Sequence, residues 1–241
     1  MLFEEGLIPE EIQETAELAE NLDCVGEINA KLMTGVEGFE DQLVIVTGDP
    51  FEIASSLDSA QGDNVFRAAS DCGLVSCSNY LSLCGIAADE DAVVKFALDN
   101  NLCCWDIFGD PHDWGGTTCF QVESILECYG VESSVYTPFE SNGSLEGIAE
   151  AVESGHAAIL GVNAGYLWDD PNYVENGQLN HWVTITGTVR DDSGELVAFT
   201  ICDSGRGLDS DSCRTVSVST LEESYLKASY TSVIISDNVV R

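Results

Sequence analysis

The strongest constraint on this chain is a change of apolar period at Gly155. Ahead of it, apolar residues recur at helical spacing: Val122, Ile125, Leu126 and Tyr129, then Leu145, Ile148, Ala149 and Val152. Behind it come Ala157-Ala158-Ile159-Leu160-Gly161-Val162 and the segments 181–189 (HWVTITGTV), 196–202 (LVAFTIC) and 214–218, all short and rich in strand formers. A stripe at 3.6 residues and a β-branched run cannot exchange conformations without turning their apolar faces to water. The chain is therefore expected to be α+β, helices first and an antiparallel sheet second.

Local signals sharpen that outline. Residues 8–22 place Ile8, Ile12, Ala16, Ala19 and Leu22 at near-helical spacing, and 43–47 (LVIVT) reads as a strand closed by Gly48-Asp49-Pro50. Segment 55–64, SSLDSAQGDN, is a loop by its turn formers. From Leu74 through Leu83 the pattern is helical with Gly85 as its stop, and Asp89 caps a second helix bearing Ala92, Val93, Phe96 and Ala97. Thr118 with Gln121 forms a capping box, Gly130 ends that helix, and Ser144 opens the next. Asp191-Asp192-Ser193-Gly194 makes a hairpin turn between the 181–189 and 196–202 strands. The sequence divides into an N-terminal helical extension over 1–48 and a main domain over 49–241. Within the main domain a helical lobe spans about 60–155 and a sheet lobe about 156–236. The extension reads as a helix packed on the main domain, with a propeptide or a docking segment as alternatives.

Charge narrows the partners. Forty-three acidic against eight basic side chains give a formal charge of −35, which repels a phosphate backbone, so nucleic acid is not an expected partner. The acidity serves solubility or a salty environment, and it would also steer a basic peptide toward the surface. No apolar run approaches the roughly 18 residues a membrane span needs, and Met1-Leu2-Phe3-Glu4-Glu5 lacks a basic n-region. The expected location is the cytoplasm, with signal-less secretion as an effector the alternative. Ten cysteines without a secretory signal read as reduced thiols. They contain no CxxC, and the three histidines are scattered, so no zinc site is expected. Asp209-Ser210-Asp211 has the spacing of a calcium ligand pair but no completing loop, and reads as a solvated turn. No metal or cofactor is implied.

Cys72, in Asp71-Cys72-Gly73, stands at the start of a helix, where the backbone dipole favours a thiolate. A cysteine nucleophile needs a base and a group that orients the base. His181 opens one strand and Asp203 follows the end of the next, so the hairpin predicted between them sets the two side chains at the same end of adjacent strands. Cys77 is the rival thiol but lies within the helix. Trp105, Trp114, Trp168 and Trp182 are expected to line a cleft or fill an interface.

Taken in order, Asp71-Cys72-Gly73, the Gly116-Thr117-Thr118 helix start, the Gly155 element before a strand, the 181–187 segment HWVTITG and Cys202-Asp203-Ser204-Gly205 resemble the papain-like peptidases of the bacteriocin-processing type, the C39-like family. The resemblance covers about 60–236. It implies a papain-like fold, a helical lobe carrying the nucleophile packed on an antiparallel sheet lobe, and a peptide or protein substrate. It also implies Cys72 as nucleophile, His181 as general base and acid, and Asp203 as orienter of the imidazole. Such peptidases usually carry a glutamine five or six residues before the cysteine to stabilise the oxyanion. Here those positions hold Arg67 and Phe66. Gln61 is the expected substitute, with Asn64 and Arg67 as alternatives. Arg67 and Arg206 are the cations nearest the site in sequence, Arg67 being a candidate to lower the thiol pKa. The implied activity is thiol-dependent peptide cleavage. A deamidase or transamidase using the same acyl-enzyme, and a non-catalytic module holding a basic peptide, are the rivals. Oligomeric state does not follow from the sequence.

Overall fold

The structure is a computed structural model that describes residues 30–106 and 109–240. The helix expected at 8–22 lies outside the described residues. Among those described, the helices are α1 (Pro50–Ile53), α2 (Cys72–Leu83), α3 (Glu90–Asn100), α4 (Cys119–Cys128), α5 (Leu145–Glu153), α6 (Ala164–Trp168) and α7 (Val218–Leu221). The strands are β1 (Ala30–Met33), β2 (Val44–Thr47), β3 (Ser133–Tyr136), β4 (Ala158–Val162), β5 (His181–Arg190), β6 (Leu196–Cys202), β7 (Arg214–Ser217) and β8 (Val233–Ser236).

All eight strands form one antiparallel sheet around β5. Strand β4 pairs with the first half of β5 and β2 with its second half, while β6 occupies the other edge. Every residue of β5 is buried. Residues 30–47 therefore supply a hairpin to the main sheet, in place of a helical extension over that part of 1–48, and β3 joins the sheet from within the expected helical lobe. Strand β3 is only four residues long and three of them are half-buried, too short a run to declare a period.

The alternation of β side chains divides the core between two faces. On one face Ile159, Trp182 and Ile234 meet Leu74, Cys77 and Leu81 of α2, Val93 and Ala97 of α3, and Val122, Ile125 and Leu126 of α4. On the other, Leu160, Val183, Ile185 and Val233 meet Leu145, Ile148 and Val152 of α5. Capping residues set where these helices begin. The Asp89 carboxylate accepts from Ala92 N–H, Thr118 and Gln121 form the reciprocal box, and the Ser144 hydroxyl accepts from Gly147 N–H. Each such cap contributes about 1 kcal/mol. Gly155 ends the α5 segment with φ 90°, a conformation for which glycine carries no Cβ penalty.

Helix α2 runs through the middle of the first layer with residues Cys72–Leu81 all buried. Its N-terminus points its first residue at the end of the sheet where β5 begins and β6 ends. No helix among the described residues is long and apolar enough to cross a membrane.

Candidate active site

Cys72 is the first residue of α2, so its backbone N–H is among those a helix leaves unpaired. The helix start can come this close to the sheet because residue 73 is glycine. A Cβ there would lie 2.0 Å from Thr117 Oγ1 and 3.1 Å from Trp182 Cδ1. Both neighbours come from segments singled out in the sequence, the Gly116-Thr117-Thr118 turn and the opening of β5.

His181, at the first position of β5, is 3% exposed. Its Nε2 lies 2.8 Å from Asp203 Oδ1. The register that pairs Thr184 with Cys202 brings the start of β5 level with the residue after β6, which is how the hairpin delivers this contact. Because a carboxylate only accepts, Nε2 carries the proton of that bond. The thiol of Cys72 is the other hydrogen-bonding partner of the His181 ring, so that bond falls to Nδ1.

Four donors converge on Asp203, which is fully buried. Oδ1 takes the His181 ring and Gly205 N–H at 3.0 Å; Oδ2 takes Trp168 Nε1–H at 2.8 Å and Arg214 Nη1 at 3.2 Å. Burial pushes this carboxyl upward, but the bonds and charge of His181, with Trp168 and Gly205, outweigh it and hold Asp203 well below the ordinary carboxylate range. Burial likewise works against charging His181, yet the bonds to Asp203 and Cys72 prevail and raise the imidazole to about 10. The site thus favours imidazolium beside carboxylate.

Trp168 lies tilted against the imidazole with ring centroids 5.2 Å apart. Gly205 is required beneath them, since a Cβ would stand 2.5 Å from Trp168 Cζ2 and 2.8 Å from His181 Cε1. Arg214 and Trp168 are the contributors that sequence reasoning missed. The two arginines flagged by proximity in sequence behave otherwise. Arg206 clasps Asp211 through Nε at 2.7 Å and Nη2 at 2.6 Å, while Arg67 is exposed with left-handed backbone, φ 61°. The 209–211 segment is consequently no solvated turn: Asp211 is 1% exposed, neutralised by Arg206, and its carbonyl accepts from Asp203 N–H at 2.9 Å. That brace fixes the backbone of the residue facing His181.

The loop ahead of Cys72 reaches across to the same strand end. Gln61 N–H donates to Ser204 O at 3.1 Å, and its Nε2 donates to Ala69 O at 3.0 Å. One side-chain N–H of Gln61 remains available, eleven residues from Cys72 in sequence but tied to both flanks of the site. Asn64 is committed elsewhere. Its Nδ2 serves Ala68 O, Asp71 Oδ2 and Glu90 Oε1, and its Oδ1 accepts from Phe66 and Ala68 N–H, which makes it a structural pin of the loop.

Cys77 sits in the core with no exposure, and burial drives its thiol far above the ordinary range. His156 bonds Ser236 O through Nδ1 at 2.6 Å, and His112 lies in an exposed turn.

No family model matches the chain, and no curated protein matches it. Among solved structures it is similar to a double glycine motif protease from an AMS/PCAT transporter in complex with the leader peptide, at 14% identity, over 70% of this chain and 86% of that one, with a TM-score of 0.41. It is also similar to a protein described as a C39-like peptidase from Bacillus anthracis, at 16% identity, over 71% of this chain and 90% of that one, with a TM-score of 0.49.

Proposed function

We propose that the chain is a cysteine peptidase of the papain-like, C39-like type, with Cys72 as nucleophile, His181 as general base and acid, and Asp203 as the group that orients the ring. The observation that carries the reading is the imidazole of His181, held by Asp203 through Nε2 at 2.8 Å and bonded through its remaining nitrogen to a thiol at a helix N-terminus. A nucleophile, a base and an orienter in hydrogen-bond contact are the parts that acyl transfer by a thiol requires.

In this mechanism the Cys72 proton passes to His181 Nδ1, and the thiolate attacks the scissile carbonyl carbon. The Cys72 N–H and the Gln61 amide stand as donors for the resulting oxyanion. The C–N bond then breaks as the imidazolium protonates the leaving amine, giving a thioester on Cys72. His181 next takes a proton from water, the hydroxyl adds to the thioester, and the acid product departs with the thiol restored. The substrate class is a peptide or protein chain, and the net charge of −35 would concentrate basic ones at low salt.

Mass spectrometry of a peptide mixture after incubation with the full chain tests the reaction class. Hydrolysed fragments, absent with Cys72→Ala, are the expected result. A one-dalton gain on glutamine would assign a deamidase, an amine adduct a transamidase, and unchanged peptides would overturn the catalytic reading.

A further inference from the structure

Asp58 and Asp63 of the loop ahead of α2 and Glu90 at the start of α3 bring carboxylate oxygens within 4.8 Å of one another. These residues come from two separate segments, and Gln61 lies between the first two in the chain. The Glu90 carboxyl is 6% exposed, accepts Gly62 N–H at 3.1 Å and Asn64 Nδ2–H at 3.0 Å through Oε1, and lies against the carboxyls of Asp63 and Asp71. Among the described residues no lysine, arginine or histidine forms an ion pair with any of the four acids.

A second observation is independent of this clustering. Asp71 is fully buried and its Oδ1 has no hydrogen-bond partner, although its carboxyl is within bonding reach of Glu90 and feels the charge of Asp58. A buried oxygen of this kind costs about 1–3 kcal/mol when nothing meets it. Acceptors therefore face acceptors, and positive charge is what is missing between them.

We propose that Asp58, Asp63 and Glu90 bind a divalent cation, Ca2+ in preference to Mg2+, with Asp71 supplying a further negative charge behind Glu90. An all-oxygen donor set selects a hard cation. Oxygens around one Ca2+ stand up to about 5 Å apart, whereas around Mg2+ the limit is about 4 Å, so the observed spread suits the larger ion. Burial, then the neighbouring carboxyls, push Glu90 up to about 10, and burial pushes Asp71 to about 6. Without a cation these groups would be relieved only by protons. The ion joins the two sides of the loop to α3 and so holds the segment on which Gln61 is carried. No sequence spacing announces the set, because Glu90 lies beyond the whole of α2.

Calorimetric titration of the full chain, freed of metal by chelation and held near 0.1 M salt, tests the proposal without reference to peptidase activity. One saturable Ca2+ site is expected, weaker by about tenfold or more in Asp63→Asn, an exposed position whose substitution leaves the core untouched, and likewise in Asp58→Asn. Glu127→Gln, an exposed acid on α4, should bind as wild type does. Absence of saturable binding, Mg2+ binding as tightly as Ca2+, or equal loss in Asp63→Asn and Glu127→Gln would overturn the proposal, the last by assigning binding to the diffuse acidic surface.

Discussion

Replacing His181 with alanine is expected to lower kcat/KM for peptide cleavage by about 10³-fold or more, roughly 4 kcal/mol of transition-state stabilisation. The ring performs both proton transfers, and neither other histidine is near it, His156 being bonded to Ser236 and His112 lying in an exposed turn. The fold should survive the change. Asp203 would keep Arg214, Trp168 and Gly205 as donors, so no buried charge is left uncompensated. Groups that act as a unit are strongly non-additive, so Cys72→Ala combined with His181→Ala should be no slower than Cys72→Ala alone. Steady-state rates on one peptide, with thermal midpoints as the folding control, check this. A loss under tenfold in a folded His181→Ala chain would remove the ring from the mechanism.

The second large effect concerns pH. Asp203→Asn keeps an oxygen to accept from His181 Nε2 but removes the charge that opposes burial of the imidazolium. With the opposite charge gone, burial prevails and the ring pKa falls from about 10, by about 1–3 units for a partner at this distance. Activity needs the imidazolium to protonate the leaving amine, so the alkaline limb of the kcat/KM profile should move to lower pH in Asp203→Asn, with the rate near neutrality less affected. Stability carries the same signs. The folded pKa of His181 is raised, so its contribution is complete below the ordinary 6.5 and is lost as pH rises toward about 10. That of Asp203 is lowered, so its contribution is present above the ordinary 3.8 and is lost as the pH falls further. Wild type should therefore be most stable with respect to this pair between about pH 4 and 6.5, and an alkaline limb identical in the two proteins would contradict the assigned role of the carboxylate.

The parts of this molecule legible in the sequence are those written in short-range chemistry. The caps at Asp89, Thr118 and Ser144 each act within three residues, and the structure places helices where they predict. The meeting of His181 and Asp203 is legible for a related reason, since one hairpin fixes the register of both strands. What is hidden depends on distant loops arriving together. Trp168 reaches Asp203 across 35 residues, and Arg214 approaches from β7, the next strand over, although Arg206 is the closer in sequence. The sheet hid more of itself than the helices did. Strands β1 and β3 are four residues long and half-exposed, and their place is decided by pairing with β2 and β8, not by any period of their own. The loop before Cys72 announces turns by composition, while its anchors, Asn79 on Asp58 and Ser204 on Gln61, lie in α2 and beyond β6.

The central claim is that Cys72 is an activated thiol paired with His181. Limiting alkylation near pH 6, followed by mass mapping of all ten cysteines, measures it without any knowledge of the substrate. Cys72 should be labelled at least about tenfold faster than each of the other nine, and the preference should vanish in His181→Ala. Labelling of Cys72 no faster than the rest, or a preference untouched by loss of the imidazole, would contradict it.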